Sequence, residues 1–131
     1  MATIKKFEDL EIWQRARELS KEIIQIVKTT DLKSDFRLRD QIKASSGSVM
    51  DNIAEGFERY GNLEFRQFLS IAKASAGETR SQLYCVFDND YITDKEAQKL
   101  VADYETLSRR IANFINYLNK KDFKGNKFKE N

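Results

Sequence analysis

The sequence predicts an all-α chain folded as an antiparallel, up-down-up-down four-helix bundle. Three observations carry that expectation. No proline occurs in 131 residues, where average usage would give about six or seven, and proline is the residue that interrupts helices. Four long runs repeat apolar residues at spacings of three and four, the pattern of a helix with one buried face. The segments between these runs are short, which forces neighbouring helices to lie antiparallel. Nothing alternates with period two over a useful length, so strands are not expected.

The first helix is expected over about 9–29, with Asp9 placed to cap its amino end. Ile12, Trp13, Ala16, Leu19, Ile23, Ile26 and Val27 mark its apolar face. Thr30 to Ser34 reads as a polar turn. The second helix, over about 35–57, aligns Leu38, Ile42, Val49, Ile53 and Gly56. Glu58-Arg59-Tyr60-Gly61 breaks it, and Asn62 is placed to cap a third helix over about 63–88. The apolar face of that helix holds Phe65, Phe68, Leu69, Ala72, Ala76, Leu83, Val86 and Phe87. Thr93 with Glu96 three residues later is a capping box. It opens the fourth helix, over about 94–119, along Ala97, Leu100, Tyr104, Leu107, Ile111, Ile115 and Leu118. Residues 1–119 thus form one domain, large enough for a single sizeable core. Residues 120–131 read as a short, disordered, flexible tail rich in lysine. That tail has a net charge of +3, so it supplies the overall +2 of the chain.

Composition removes several kinds of chemistry. The chain has no histidine and one cysteine. Histidine is the commonest general base and metal ligand, and the di-metal sites of helical bundles use Glu-x-x-His pairs. Cys85 has no histidine to activate it, and its neighbours Val86 and Phe87 suggest a thiol in the core. No enzyme activity, metal or cofactor is expected. A lone cysteine fits a reducing compartment. With no apolar run of membrane length and no leader pattern, a cytoplasmic protein is expected.

Three surface patterns remain. On the second helix, Gln41, Ser45, Ser48, Asn52 and Glu55 share one face beside the core. Such a ladder either bonds to a neighbouring helix and fixes register, or recognises a ligand or partner. Small residues gather at Ala44–Ser48 and at Ala72–Gly77, where close packing would explain glycines that cost ~1 kcal/mol each in a helix. The second and third helices are expected to approach closest there. On the third helix, Arg66, Lys73 and Arg80 repeat every seven residues, with Arg59 one heptad earlier and no acid one turn away to neutralise them. Glu64 and Glu78 lie on the opposite flank. The basic stripe is a solvated edge, a subunit interface or a phosphate-binding surface. A positive flank meeting a neighbour's negative flank would form a head-to-tail contact that closes into a ring. Ile24, Phe57 and Ile71, beyond the core lines, would add contact area, and Tyr60, Tyr84 and Tyr117 are candidates for docking another protein.

The run Gln41-Ile42-Lys43, Ser48-Val49 and Asn52-Ile53-Ala54-Glu55-Gly56 resembles the signature of the 23S rRNA intervening-sequence proteins, a bacterial four-helix-bundle family. Phe7, Leu10, Trp13 and Ala16 continue the match, as do Glu64-Phe65, Phe68-Leu69, Ile71-Ala72, Ser75, Glu78 and Gln82-Leu83. The resemblance implies a small cytoplasmic protein and a homo-oligomeric ring, most simply a pentamer. A related group, found with diversity-generating retroelements, looks like barrels of five bundles that bind nucleic acid and a reverse transcriptase. RNA, DNA or such a protein are therefore the partners the resemblance implies. Arg59, Arg66, Lys73, Arg80 and Lys43 are the candidate nucleic-acid contacts; Gln41, Ser48, Asn52, Glu55, Gly56 and Glu78 are the motif residues. Two positions depart from the pattern. Lys43 is followed by Ala44 where a second basic residue is common, and Met50 stands where proline is common. The rival expectation is a scaffold that docks a protein and touches no nucleic acid.

Overall fold

The computed structural model describes residues 4–123. A 3₁₀ turn, Phe7–Asp9, leads into α1 (Glu11–Thr29). A second 3₁₀ turn, Asp31–Ser34, leads into α2 (Phe36–Glu58), which is followed by α3 (Asn62–Asp88) and α4 (Asp94–Phe123). No strand occurs among the described residues. Cross-helix bonds fix the directions. Ser45 meets Thr79 and Gln82 while Ser48 meets Ser75, so α2 and α3 are antiparallel. Asn62 reaches Leu118 and Arg80 reaches Glu105, so α3 and α4 are antiparallel. Lys99 reaches Glu22 and Arg15 reaches Asp103, so α4 returns antiparallel to α1. Helices pack in chain order and α4 closes on α1, the expected bundle.

The helix ends follow local chemistry and correct two expectations. Asp9 does not cap α1. It lies in the 3₁₀ turn, and buried Leu10 precedes the helix without a side-chain cap. Burying Leu10 sets the entry of the chain. Asn62 does not cap α3 either. Gly61 takes that place, and Asn62 spends its amide on the Leu118 carbonyl at 3.1 Å. Asp35 caps α2 by accepting from the Leu38 amide. The turn before it is not wholly polar: Leu32 is fully buried, held by a Thr30 hydroxyl that accepts from the Leu32 amide. The Thr93–Glu96 capping box forms as predicted, with both reciprocal bonds near 3 Å. α4 continues to Phe123, past the expected boundary at 119, and residues 124–131 of the expected tail lie outside the described residues.

The core lines are largely those read from periodicity. Leu19, Leu69, Leu83, Tyr104 and Leu107 are completely buried. Burial pushes the Tyr104 phenol well above its ordinary value, and its hydroxyl has no hydrogen-bond partner among the described residues. Phe57 is core rather than spare contact area, edge-on to Phe65 at 5.9 Å. Phe65 packs edge-on against Phe114 and Phe114 against Tyr117, so Tyr117 is half-buried and not a free docking aromatic. Cys85 is exposed rather than buried. The α3 core line passes through Leu83 and Val86, which leaves position 85 facing outward.

The close approach of α2 to α3 occurs at Gly56, not at the expected glycines. A Cβ on Gly56 would stand 2.6 Å from Phe68 Cβ and 3.0 Å from Phe65 Cδ1, whereas at Gly47 and Gly77 it would meet nothing within 4 Å. Across the bundle, α1 and α4 are joined by charge. Arg15 bridges Glu18 and Asp103, and Lys99 bridges Asp103 and Glu22, at 2.9 to 3.3 Å.

Two predictions follow from these contacts. Gly56→Ala should destabilise by about 1–3 kcal/mol, because Phe68 Cβ is anchored to the backbone and cannot swing aside. Gly47→Ala and Gly77→Ala should each stabilise the chain by up to ~1 kcal/mol, since helix propensity improves and no neighbour is displaced. Urea unfolding of the three variants checks the opposite signs. The second concerns pH. The Thr93 amide and hydroxyl hold the Glu96 carboxyl below its ordinary value, so its contribution is present above that value and fades as pH falls through the folded one. Glu96→Gln should be less stable than the native chain at neutral pH, and the gap should close in acid.

Candidate functional site

The predicted basic stripe exists as a line on α3, but its members are engaged within the chain. Arg59 forms an ion pair with Glu55 at 3.1 Å and lies over the Phe68 ring. Glu55 sits on α2, ahead of the break; α3 itself offers the stripe no acid one turn away, as expected. Arg66 donates to Asn62 Oδ1 at 2.8 Å and to Asn119 Oδ1, so it ties α3 to the end of α4. Arg80 faces Glu105 of α4 at 3.7 Å, and its Nε is buried without a hydrogen-bond partner among the described residues. Only Lys73 of the four is exposed with no ion pair among the described residues. The physical reason is placement: the flank of α3 carrying the stripe is the one that packs beside α4. Lys43, the fifth candidate, is exposed on α2 and lies apart from the stripe. On the opposite flank of α3, the Glu64 carboxylate folds back into the space beside Gly61, and exposed Glu78 accepts a long bond from Gln82.

The polar ladder of α2 meets a matching ladder on α3. Ser45 Oγ donates to Gln82 Oε1 at 2.5 Å. Thr79 Oγ1 lies 2.9 Å from both Ser45 Oγ and the Ser75 carbonyl, its one proton serving a single acceptor at a time. Ser48 and Ser75 share a bond at 2.9 Å, and Asn52 Nδ2 donates back to Ser48. Ser45, Ser75 and Thr79 are buried, where an unpaired hydroxyl would cost about 1–3 kcal/mol. Of the motif residues, Ser48 and Asn52 therefore join a seam inside the subunit and Gly56 makes the close approach. Gln41, Glu55 and Glu78 stay exposed along its rim. The α3 half of this seam was missed in the sequence, although Ser75, Thr79 and Gln82 repeat at spacings of four and three.

Among the described residues, the large apolar groups most exposed to solvent belong to one hairpin. The exposed large hydrophobic residues are Phe36, Tyr60, Leu63, Ile71 and Tyr84, at 49% to 64% exposure. All lie on α2, on α3 or in the turn between them, and none on α1 or α4. Tyr60 also has a left-handed backbone, with φ of 68°, a conformation that costs a non-glycine residue about 1–2 kcal/mol. No set of three His, Cys, Asp or Glu side chains among the described residues is arranged to hold a metal, and no described helix is long and apolar enough to cross a membrane.

The seam yields a test. Ser45→Ala and Thr79→Val should each destabilise by about 0.5–1.5 kcal/mol, since each removes a hydrogen bond of the buried seam. The double variant should cost less than the two added together, by ~0.5 kcal/mol or more, because both remove one shared network. Urea unfolding of the full cycle measures this coupling.

Comparison with known proteins agrees with the geometry. A solved structure from Bacteroides thetaiotaomicron, a protein of unknown function from the S23 ribosomal protein family, superposes with a TM-score of 0.74. The match has 23% identity and covers 80% of this chain and 95% of that one, which shows a shared fold. No curated protein matches the chain. The sequence model of one family spans residues 8–113, from the first 3₁₀ turn to two thirds of the way along α4. The chain belongs to the 23S rRNA-intervening sequence protein family.

Proposed function

We propose that this protein is a non-catalytic helical bundle that assembles into a closed ring of copies, and that the ring binds nucleic acid without reading base sequence. The observation that carries assembly is the confinement of exposed apolar side chains to the α2–α3 hairpin. Scattered apolar residues are ordinary on a surface, whereas a grouped set marks a contact face. A head-to-tail contact between two different faces closes into a ring when its rotation permits, and the family resemblance supplies five as the number of copies. The absence of catalysis rests on a chain without histidine and with one cysteine. Nucleic-acid binding rests on repetition, since a ring multiplies basic patches that are weak in one copy. A cytoplasmic site of action accords with the single cysteine.

A second reading has its own observation. Tyr60 is exposed and held in a costly backbone conformation, and such residues cluster where proteins make functional contacts. It favours an adaptor in which the ring docks another protein, a reverse transcriptase among the candidates.

Static light scattering at micromolar concentration tests assembly. The native chain should give a mass near five times 15.3 kDa, and Ile71→Glu should shift it toward one copy with helicity unchanged. A native mass of one copy overturns the ring. Labelled RNA should bind with an affinity that falls with salt at a slope of ~−0.7 per phosphate contacted. Absence of binding at low salt leaves the adaptor.

A further inference from the structure

One set of basic residues without ion pairs lies on another side of the bundle. α1 faces α4 with Arg15 and Glu22, which bond Asp103 and Lys99. Trp13 lies on its other flank, toward α2, against which α1 also packs, and Arg17, Lys28 and Lys21 follow in turn round to the outward face, Lys21 half a turn from core Ile12. α2 faces α3 with Ser45, Ser48 and Asn52, so Lys43 and Gly47 stand on the flank that borders α1. The two flanks meet along one groove. Arg17, Lys21, Lys28 and Lys43 are all exposed, and none forms an ion pair among the described residues. The acids next to them are committed elsewhere. Glu18 bonds Arg15, and Asp40 bonds Arg39. Asp40 also attracts Lys43 at longer range, Asp31 follows Lys28 by three residues, and Asp51 lies one turn beyond Gly47.

The spacing and chemistry of this groove suit one polymer. From Lys28 to Lys21 to Arg17 the helix rises about 10 Å and then about 6 Å, which sets cations in a row along the outer side of α1, beside the groove. At its far end the Arg17 guanidinium lies over the Trp13 ring, Cζ 5.7 Å from the centroid, and the indole is braced edge-on by Phe7 at 5.1 Å. An exposed guanidinium held over an indole offers a flat cationic surface on which a free base can stack. Gly47 removes a side chain one turn after Lys43, where a Cβ would meet nothing within 4 Å, so a backbone can settle there. We infer that the α1–α2 groove binds single-stranded nucleic acid, with Lys21, Lys28 and Lys43 on its phosphates and the Arg17–Trp13 pair stacking a base. A duplex hides its bases and engages only the lysines. This rests on the nucleic-acid half of the proposed function and places its site away from the α3 stripe.

Trp13 is the only tryptophan in the chain, so its emission reports on this groove alone. The test titrates the full-length protein with a thymidine 20-mer and a 20-bp duplex at about 50 mM and about 200 mM salt. Fluorescence anisotropy reads binding with labelled strands and Trp13 emission reads it with unlabelled ones. The single strand should bind more tightly than the duplex and quench Trp13. Lys21→Gln/Lys43→Gln should weaken binding about tenfold and flatten the salt slope by ~1.4, the share of two phosphates. Lys73→Gln should change affinity by less than about twofold. Native-like affinity in the double variant, or saturation without a change in Trp13 emission, overturns the groove while nucleic-acid binding stands. No binding of either strand overturns both.

Discussion

The pairing of α2 with α3 is the constraint on which the rest of this bundle depends. At one end Gly56 lets the helices come so close that a single added carbon would collide with Phe68. Along the middle, buried hydroxyls and amides fix which residue of α2 lies opposite which residue of α3. Apolar packing alone is tolerant of sliding, because one aliphatic contact substitutes for another. A buried hydrogen bond is not tolerant, because a slip strands its partners. With this register set, α4 docks on the remaining flank of α3 through Asn62, Arg66 and Arg80. α1 then closes the square against α2 and α4. The family motif, concentrated in α2 and in the facing part of α3, coincides with the seam.

This arrangement explains why a conspicuous sequence pattern was a poor guide to surface. Arg66, Lys73 and Arg80 at heptad spacing share one flank of α3, which periodicity reveals. Periodicity does not reveal which neighbour occupies that flank. Because α4 lies beside it, two of the three arginines, Arg66 and Arg80, become ties between helices, and Arg59 folds onto its own α2 acid. Arg17, Lys21 and Lys28, which form no ion pair among the described residues, have less regular spacing and drew no notice. Lys43 was noticed, yet its company on the α1 flank was not.

The legible parts of the fold share a physical character. Helix number, order and core lines follow from period and from connection length, which are properties of short stretches. The Thr93–Glu96 box was legible because both of its partners lie within one turn. Asp9 and Asn62 misled because capping competes with tertiary demands: Leu10 must be buried, and the Asn62 amide finds the Leu118 carbonyl. Gly47 and Gly77 misled for a related reason. A glycine in a helix signals either crowding or nothing, and only the neighbouring helix decides between them. Cys85 directly precedes buried Val86 in sequence, but a helix turns adjacent positions about 100° apart.

The charged joint between α1 and α4 has a consequence for how the molecule responds to its medium. α1 is held to α4 less extensively than the other neighbours are held to each other, and Arg15, Glu22, Lys99 and Asp103 supply much of that joint. Exposed ion pairs are worth about 0.2–1 kcal/mol and weaken as salt screens them. The first helix is thus the element of the bundle whose seating is most sensitive to ionic strength. It also carries three exposed cations that pair with no acid among the described residues, Arg17, Lys21 and Lys28. Counterions that compete for the outer face of α1 relax its inner attachment at the same time, so ionic strength acts on this helix from both sides.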